Sequence, residues 1–320
     1  MSNSAQIGRL ANIERFVVCP ICHTTVGIFG DHMKCTQEGH AFPLVDGDIP
    51  SMLLEQTTDT QLSMEKWDDL YSVRQDVEVV EASYKELFLD DTYRQLLEHS
   101  PKELAKEGVY LEIGCGPGYL GEELAKQGWF FMGIDFSLEA LRHLRRRLDQ
   151  RGINNYLLIH ADIQQLPLRD QSVDLIYGGG VIEHFKNTQV VINHLYRVLA
   201  ACGKSFNTVP YLNIANLFYR SLWGGIPNYP LLKQLAEFVH IRLLQGRHMI
   251  FGYELQFTMG QLHSLHTKAG FRTDDIVIDR FDVELLLERV PFAPIRHMVQ
   301  KLSVSNRQFW PMLKVVGTRR

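Results

Sequence analysis

An apolar run that leads into three closely spaced glycines constrains the fold of this chain more than any other feature. The segment Val109-Tyr-Leu-Glu-Ile-Gly-Cys-Gly-Pro-Gly118 predicts a buried strand and a tight turn, and an apolar-patterned helix follows over 119–127. Glycine is needed where a backbone turns sharply or where a ligand approaches too closely for a Cβ atom. Glu112 stands just before the turn. A carboxylate there would not help to bind phosphate, but it would favour a cationic ligand.

Downstream, short apolar runs alternate with helix-like segments. Such alternation predicts a mostly parallel sheet with helices packed on it. Two of the runs are followed by acids, Asp135 and Asp162, which we expect at the tips of strands that neighbour the strand of Glu112. The predicted strands cover residues 109–113, 130–135, 156–159, 172–177 and 203–210, and a further helix covers 187–199.

The pattern Glu-x-Gly-x-Gly-x-Gly at 112–118 resembles the first motif of the class I S-adenosylmethionine-dependent methyltransferases. Residues 257–271 resemble the helix before the sixth strand of that family, and 311–317 its last, antiparallel strand. The resemblance covers about the last two thirds of the chain, residues 108–320. It implies an α/β fold with a doubly wound, mostly parallel, seven-stranded sheet, and a methyltransferase activity.

Two observations weigh against a simple assignment. Residues 116–121 also fit the G-x-G-x-x-G fingerprint of dinucleotide-binding folds by letter, although the predicted strand stops at Ile113, too early for that fingerprint. The family usually has Lys-Pro-Gly-Gly where this chain has Ala200-Ala-Cys-Gly203. That turn shapes the entry to the fifth strand and does not touch the chemistry. The later motifs nevertheless follow one another in the order and at the spacing of the methyltransferase family. This favours the methyltransferase over the dinucleotide-binding fold.

The resemblance implies where S-adenosylmethionine would bind. In the family, the glycines lie along the methionine part, the acid after the second strand accepts from both ribose hydroxyls, and the acid after the third accepts from the adenine amino group. The residue after that acid packs on the adenine ring. Carried over to this chain, the cofactor-binding residues are Glu112, Gly114, Gly116, Gly118, Asp135, Phe136, Asp162, Ile163, Gly178 and Gly179.

Three cysteines and a histidine near the amino end have the spacing of a zinc site. Cys19 and Cys22 form a C-x-x-C hook, twelve residues separate Cys22 from Cys35, and four separate Cys35 from His40. Thiolate and imidazole ligands at such spacing favour a tetrahedral zinc with no open position. The metal is therefore expected to be structural.

The segment around these ligands, residues 14–55, is predicted to be a small β zinc ribbon. It resembles the zinc ribbons of small methyltransferase-partner proteins and the amino-terminal ribbon of bacterial ribosomal-RNA guanine methyltransferases. His23 and His32 are rival fourth ligands, and unrelated buried cysteines are the alternative to a metal site.

Residues 56–107 are predicted to be a polar linker followed by a helical lead-in. Trp67 belongs to a Trp-Asp-Asp-Leu-Tyr segment that is common before the first strand in the methyltransferase family. There, aromatic residues help to close the cofactor pocket. Simple packing of the helix on the sheet is the alternative.

A long insertion, residues 211–253, interrupts the order of strands and helices of the methyltransferase family after the fifth strand. Insertions at this place in the family usually cap the acceptor pocket. Its aromatic residues favour an apolar or ring-bearing acceptor, although most of them are expected to form the core of the cap itself. Tyr211 and Tyr253, at the two ends, stand nearest the expected site.

His184 is the candidate general base. It follows the fourth strand, on the loop that faces the cofactor's methyl group in the family, and imidazole titrates in the useful range. A base is optional, because methyl transfer from a sulfonium mainly requires alignment and exclusion of water. Glu183 would orient the ring or join it on a metal. In the alternative, both residues simply begin a short helix.

Charge gives divided evidence on the acceptor. The net charge of −4 and the acidic zinc module do not favour bulk binding of nucleic acid. Residues 290–320, however, contain no acid and several bases. A second basic cluster consists of Arg142, Arg145, Arg146 and Arg147. Solvated surface is the plain interpretation of both clusters, and contact with RNA or with an anionic membrane is the functional one.

The remaining cysteines and the amino-terminal sequence indicate the compartment. Cys115 and Cys202 lie outside the proposed zinc site, and neither a signal peptide nor a membrane-spanning stretch is evident, so we expect a cytoplasmic protein, with peripheral membrane contact as an alternative. The predicted function is methylation of a small, apolar or ring-containing molecule. The alternatives are an RNA base methyltransferase and a non-catalytic methyltransferase partner subunit. The presence of Glu112, Asp135 and Asp162 argues against the non-catalytic partner, which would not need a cofactor site.

Overall fold

The computed structural model of this protein describes residues 3–54, 67, 90–99, 108–249, 252–281 and 293–320. Most of the predicted linker and lead-in, residues 56–107, lies outside the described residues.

A small β module occupies the amino end. Its four strands form one antiparallel sheet in sequence order. In β3 the buried residues Phe42 and Leu44 alternate with exposed ones, as expected for a sheet that packs on one face. A helix that the sequence did not predict precedes this sheet. The elements are α1 (Asn3–Phe16), β1 (Val26–Phe29), β2 (His32–Cys35), β3 (Ala41–Val45) and β4 (Ile49–Pro50).

Nine strands follow in the rest of the described chain. Seven of them form one sheet, which confirms the predicted fold class. The strands are β5 (Val109–Ile113), β6 (Phe130–Asp135), β7 (Tyr156–His160), β8 (Val173–Gly179), β9 (Leu199–Pro210), β10 (Gly225–Pro227), β11 (Glu254–Gln256), β12 (Ile276–Phe281) and β13 (Met312–Thr318).

The strand order in the large sheet is β12-β13-β9-β8-β5-β6-β7. β13 runs antiparallel to both of its neighbours, whereas β5 to β9 are parallel to one another. The chain leaves β5 towards β6 on one side and later returns to β8 on the other. The order therefore reverses between β5 and β8, and ligands of open α/β sheets bind in the crevice at such a point, beyond the carboxyl ends of the strands.

Helices pack on both faces of this sheet. Leu111 and Tyr110, neighbours on β5, belong to two different buried clusters, the first shared with α5 and the second with α3 and α4. Ser137 caps α4, and Thr258 with Gln261 forms a capping box on α8, so the sequence sets where both helices begin. The helices are α2 (Asp90–His99), α3 (Tyr119–Lys126), α4 (Leu138–Gln150), α5 (Thr188–Val198), α6 (Ile214–Tyr219), α7 (Pro230–Glu237), α8 (Met259–Ala269) and α9 (Ala293–Ser305).

The small module is joined to the β7 edge of the large sheet. Ser51 bridges His160 in parallel, and the Met52 amide donates to the His160 carbonyl at 2.7 Å. At the other end of the module, the Val18 amide donates to the Pro167 carbonyl at 2.9 Å. The small module is therefore attached to the large sheet through backbone hydrogen bonds.

Buried ion pairs strengthen this junction. The Arg9 Nε atom lies 2.6 Å from an Asp48 oxygen, with both side chains almost fully buried. Arg145 on α4 lies 3.1 Å from the other Asp48 oxygen. Nearer the surface, the partly exposed Arg142 lies 2.9 Å from Asp46. Removing one partner of such a buried pair costs about 3–5 kcal/mol, because an uncompensated charge remains.

These pairs change the interpretation of two charge patterns in the sequence. Arg142 and Arg145, taken from sequence as solvated surface or as an RNA or membrane contact, neutralise acids of the small module instead. Asp46 and Asp48, which made the module look acidic, are neutralised in turn. These ion pairs therefore stabilise the contact between the small module and helix α4 of the large sheet.

Candidate functional site

The glycine-rich loop after β5 has the backbone that its sequence predicts. Gly114, Gly116 and Gly118 all have positive φ angles, of 55°, 45° and 59°. A Cβ atom on Gly114 would lie 2.8 Å from the side chain of Val181, which follows β8. The loop can therefore pass close to the neighbouring strand only because glycine occupies these positions.

Glu112 is a buried carboxylate at the carboxyl end of β5. One of its oxygens accepts hydrogen bonds from the Gly121 amide at 3.0 Å and from the Tyr110 hydroxyl at 3.3 Å. Burial raises the pKa of Glu112 to about 8, against the lowering effect of these bonds. A cation bound beside it would stabilise the ionised form, so a positively charged ligand fits this position.

Asp135 ends β6 and holds two loops together. One carboxylate oxygen accepts from the Gly116 amide at 2.8 Å, and the other accepts from the Ser137 amide at 2.8 Å. The side chain is 5% exposed, yet it lines the cleft beside the glycine-rich loop. The acid at the tip of the second parallel strand is thus fixed in position by the backbone on both sides.

Asp162 follows β7 and caps a short 3₁₀ helix, Ile163–Gln165. One of its oxygens accepts from the Gln164 amide at 2.8 Å, and burial raises the pKa of the Asp162 carboxyl. Ile163, next in sequence, is almost fully buried and lines the same cleft.

One cleft at the switch point collects most of the residues that the sequence singled out. Gly116 and Gly178 are not among its lining residues. A Cβ atom on Gly178 would lie 2.6 Å from the Asn207 side chain on β9, so this glycine serves the packing of two strands. The predicted residues that do line the cleft are Glu112, Gly114, Gly118, Asp135, Phe136, Asp162, Ile163, Gly179 and His184.

His184 stands in this cleft at the end of a 3₁₀ helix, Ile182–His184. Its Nδ1 atom lies 2.6 Å from the Tyr253 carbonyl oxygen. Because a carbonyl can only accept, Nδ1 carries the proton, and Nε2 is the acceptor atom of the neutral ring. Burial lowers the pKa of His184, against the opposing effect of Glu254, so the ring is neutral near pH 7.

Trp67 and Glu183 each have two possible roles from sequence. The Trp67 ring lies 6.2 Å from the His184 ring, edge-on, and Trp67 lines the cleft, which favours its closing role over simple packing. Glu183 does not orient His184, since the Tyr253 carbonyl holds Nδ1. It is 1% exposed, and burial together with the charge of Glu254 raises its pKa well above the usual range.

The two ends of the insertion differ in how closely they approach the site. Tyr253 holds His184 through its backbone carbonyl and donates from its hydroxyl to Glu237 at 2.8 Å. Tyr211 is half-buried and is not among the residues that line the cleft. Sequence could not have found the role of Tyr253, because a backbone carbonyl leaves no side-chain pattern.

A second candidate site lies in the small module. The ligand atoms of Cys19, Cys22, Cys35 and His40 all lie within 4.8 Å of one another. The sulfur atoms of Cys22 and Cys35 are 3.7 Å apart, and His40 Nδ1 lies 3.5 Å from the Cys35 sulfur. In a tetrahedral site with zinc–sulfur bonds of 2.3 Å, the sulfur–sulfur edge is about 3.8 Å. The set therefore fits one zinc ion.

The thiols differ in how readily they ionise. Burial opposes ionisation of Cys35, but hydrogen bonds from the backbone at Glu38 and His40 and from neighbouring side chains lower its pKa to about 6. Burial raises the pKa of Cys19 to about 11. A metal ion would have to displace the Cys19 proton, as is usual when thiolates bind zinc. None of the four residues lines the large cleft, which suits a structural ion.

Comparison with known proteins agrees with the fold of the large sheet. Residues 111–206 match the family described as a methyltransferase domain. This match begins on β5 and ends within β9, so it contains the glycine-rich loop, Asp135, Asp162 and His184. Over these residues the chain is similar to methyltransferase domains, and its large sheet has the class I methyltransferase fold. The family indicates an enzyme and supports binding of S-adenosylmethionine by this domain.

The relatives cover only parts of the chain. A malonyl-[acyl-carrier protein] O-methyltransferase from Hamiltonella defensa is 27% identical over 43% of this chain and 51% of its own length. A ubiquinone biosynthesis O-methyltransferase from Coxiella burnetii is 28% identical over 45% of this chain and 63% of its own length. The chain thus spans about half to two thirds of the length of these two relatives.

A solved structure also shares the fold. A chain from the complex of the Haloferax volcanii Trm112 methyltransferase activator with a methyltransferase matches with a TM-score of 0.52 at 15% identity. The match covers 83% of this chain and 99% of that one. At this identity the likeness extends to the fold alone.

Proposed function

We propose that this protein transfers the methyl group of S-adenosylmethionine to a small, apolar or ring-containing molecule. The observation that carries the proposal is the row of three acids, Glu112, Asp135 and Asp162, at the carboxyl ends of the adjacent strands β5, β6 and β7. Carboxylates suit a ligand with ribose hydroxyls, an amino group and a positive charge. Glu112, beside the glycine-rich turn, would disfavour the pyrophosphate of a dinucleotide there, whereas an acid at the position of Asp135 suits the ribose of either cofactor class.

Each acid has a distinct task in this proposal. Asp135 binds the ribose hydroxyls, Asp162 accepts from the adenine amino group, and Glu112 favours the positive charge. Ile163 and Phe136 pack against the base, and the glycine-rich loop allows the methionine part to approach the backbone. When bound, S-adenosylmethionine supplies an electrophilic methyl group whose bond to sulfur breaks as the bond to the acceptor forms.

His184 would take the proton that the acceptor loses. Its Nε2 atom is the acceptor in the neutral ring, because Nδ1 donates to the Tyr253 carbonyl. The lowered pKa keeps the ring neutral near pH 7, so that no prior deprotonation is needed. Trp67 beside the ring excludes water from this part of the cleft.

Replacing His184 by asparagine tests the base role. Asparagine can still donate to the Tyr253 carbonyl but cannot accept a proton at the position of Nε2. We expect kcat to fall by about 10²–10⁴. Wild-type activity should fall as the pH drops and the ring becomes protonated, and this acid limb should be absent from the variant. Steady-state kinetics across pH with the natural acceptor measures both effects.

The matched control is His266→Asn. His266 also donates from Nδ1 to a backbone carbonyl, that of Leu262 at 2.8 Å, but it lies on α8 and not among the residues that line the cleft. Its replacement should leave the pH profile unchanged, with folding checked by thermal unfolding. Full turnover by His184→Asn would contradict the base role and leave only alignment as the contribution of this loop.

The RNA alternative has little charge to support it. Arg142 and Arg145 pair with acids of the small module. Within 290–320, three bases have intramolecular partners: Lys314 with Gln95, Arg319 with three backbone carbonyls, and Arg320 with Asp275. A nucleic-acid surface needs several cations that remain available to phosphates. This is why a small acceptor is preferred.

Labelled methyl transfer in a cell extract tests the proposal. The protein is incubated with radiolabelled S-adenosylmethionine and extract, and the label is followed into organic-soluble molecules, RNA and protein. Label in the organic-soluble fraction supports the proposal. Label in RNA would favour the RNA methyltransferase. Absence of both cofactor binding and methyl transfer would favour a non-catalytic partner subunit.

A further inference from the structure

Exposed apolar side chains are concentrated in the insertion, residues 211–253. Twelve of the eighteen large apolar side chains that are exposed in the described part of the chain lie between 214 and 244. The sequence led us to expect that most aromatic residues here form the core of the cap. That expectation is wrong for Phe218, Trp223, Tyr229 and Phe238, which are 73%, 39%, 47% and 54% exposed.

Helix α7 and the π-helical segment after it, Phe238–Leu243, turn their apolar stripe to solvent. Leu231, Leu235 and Phe238 follow one another at four- and three-residue steps and therefore share one face. They are 81%, 61% and 54% exposed, and neither segment contains a buried residue. An amphipathic helix normally buries such a stripe, and an exposed apolar patch of this kind is typical of an interaction surface.

The segment that begins with α6 repeats this feature. Ile214, Phe218 and Leu222 follow one another at four-residue steps and are 62%, 73% and 71% exposed. The Ile214 amide donates to the side chain of Gln308 at 3.4 Å, which places the segment around Gln308 beside this helix. Arg307, the residue before Gln308, is exposed there. Two short amphipathic segments of one insertion therefore present apolar stripes outward.

The charge around these stripes is positive. The insertion contains four basic residues and one acid, whereas the whole chain carries −4. Arg220 is buried against Glu254, but Arg242 and Arg247 are exposed next to the apolar side chains. A second copy of this chain would bring like charges together across a two-fold axis. An anionic surface would be attracted.

We propose that the insertion docks this protein on an anionic lipid bilayer, with the apolar stripes of α6 and α7 inserted at the headgroup boundary. Short helices with Leu, Phe and Trp on one face and Arg or Lys beside them bind membrane interfaces in this way. In the described part of the chain no helix is long and apolar enough to cross a bilayer.

The docking surface is connected to the cleft. Glu237, the last residue of α7, accepts from the Tyr253 hydroxyl, and the Tyr253 carbonyl accepts from His184. A molecule dissolved in the bilayer would thus meet the insertion at the acceptor side of the site. This collection of the acceptor from the membrane rests on the proposed function, whereas the docking itself does not.

Vesicle flotation of the full chain tests the docking. The protein is mixed with vesicles of phosphatidylcholine alone or of phosphatidylcholine with phosphatidylglycerol. We expect flotation with the anionic vesicles and much less with neutral ones, and a decrease as salt is raised, because salt screens the arginines. The double variant Leu231→Ser with Leu235→Ser should lower the partition coefficient about tenfold or more.

The control variant carries Ile7→Ser with Phe29→Ser. These side chains are 59% and 57% exposed but lie in the small module, so flotation should be unchanged. Flotation of the Leu231/Leu235 variant like the wild type would overturn the proposal. So would a failure of the wild type to bind either vesicle, or an apolar dimer in sedimentation that the same variant dissociates. Calorimetry of S-adenosylmethionine binding without vesicles reports separately on the proposed function.

Discussion

Asp135→Asn lowers the affinity of this protein for S-adenosylmethionine about 100-fold or more and leaves the fold intact. A carboxylate accepts from two neighbouring ribose hydroxyls in charge-assisted hydrogen bonds, each of which contributes about 1.5–3 kcal/mol. Asparagine keeps the shape but loses the charge and one acceptor atom. Its amide nitrogen would also face the amide of Gly116 or of Ser137, where the carboxylate now accepts at 2.8 Å. Isothermal titration calorimetry measures the loss.

The choice of ligands separates two explanations. S-adenosylhomocysteine has the same ribose but no positive sulfur. If Asp135 binds the ribose, the affinity for both ligands should fall by a similar factor. A loss confined to the sulfonium ligand would mean that Asp135 acts only through its charge, and unchanged affinity for both would refute the ribose role.

Asp174→Asn is the matched control for this variant. Asp174 lies on β8, and its carboxylate also accepts from a backbone amide, that of Val109, at 2.8 Å. It is not among the residues that line the cleft. Its replacement should cost stability in thermal unfolding, as the loss of such a bond does, without changing cofactor affinity.

The sheet could be predicted from sequence because its local patterns agree with one another. β5 and β6 have the predicted bounds, since buried parallel strands are continuous apolar runs that end at glycine or at an acid. The antiparallel β13 was expected only through the family resemblance. The strand β9 begins at Leu199 and not at Gly203, because Leu199 already pairs with Val173 on β8. The register then shifts, so that the next pair is Leu175 with Lys204.

Features that depend on contacts between distant segments could not be predicted. The apolar stripes of α6 and α7 have the same spacing as those of buried helices, so sequence favoured a buried cap. The pairing of Arg145 with Asp48 joins residues that are 97 positions apart, and each looked like solvated charge on its own. The hydrogen bond between Tyr253 and His184 is accepted by the backbone carbonyl of Tyr253, so it leaves no side-chain pattern in the sequence. Periodicity and composition carry no information about any of these.

Removal of one thiolate ligand is expected to unfold the small module. Cys22→Ser changes a single atom of a half-buried side chain, so the change in packing is small. Serine does not replace a thiolate on zinc, and a structural zinc site of this kind contributes about 10–16 kcal/mol of binding free energy in isolated zinc-finger peptides. We expect one zinc per chain in the wild type, by mass spectrometry of metals, and none in the variant. Thermal unfolding should show loss of the module.

The effect should also reach the cofactor cleft. Ser51, at the end of the module, lies with its hydroxyl 2.7 Å from Nδ1 of His160, and Nε2 of His160 donates to the Phe136 carbonyl at 3.0 Å. Phe136 lines the cleft directly after Asp135. When the module unfolds, the His160 ring loses the hydrogen bond with Ser51 that helps to fix its orientation, and the cofactor affinity should decrease several-fold.

Cys202→Ser provides the control, because Cys202 is exposed and lies far from the cluster in sequence. It should retain the zinc, the melting behaviour and the cofactor affinity. A wild type that is folded and free of metal would end the zinc assignment. If Cys22→Ser lost zinc but kept full cofactor affinity, the metal would stabilise the module alone, and the hydrogen bonds through His160 would be incidental. A parallel loss of metal, module stability and cofactor affinity would instead make the zinc ribbon a supporting part of the methyltransferase site.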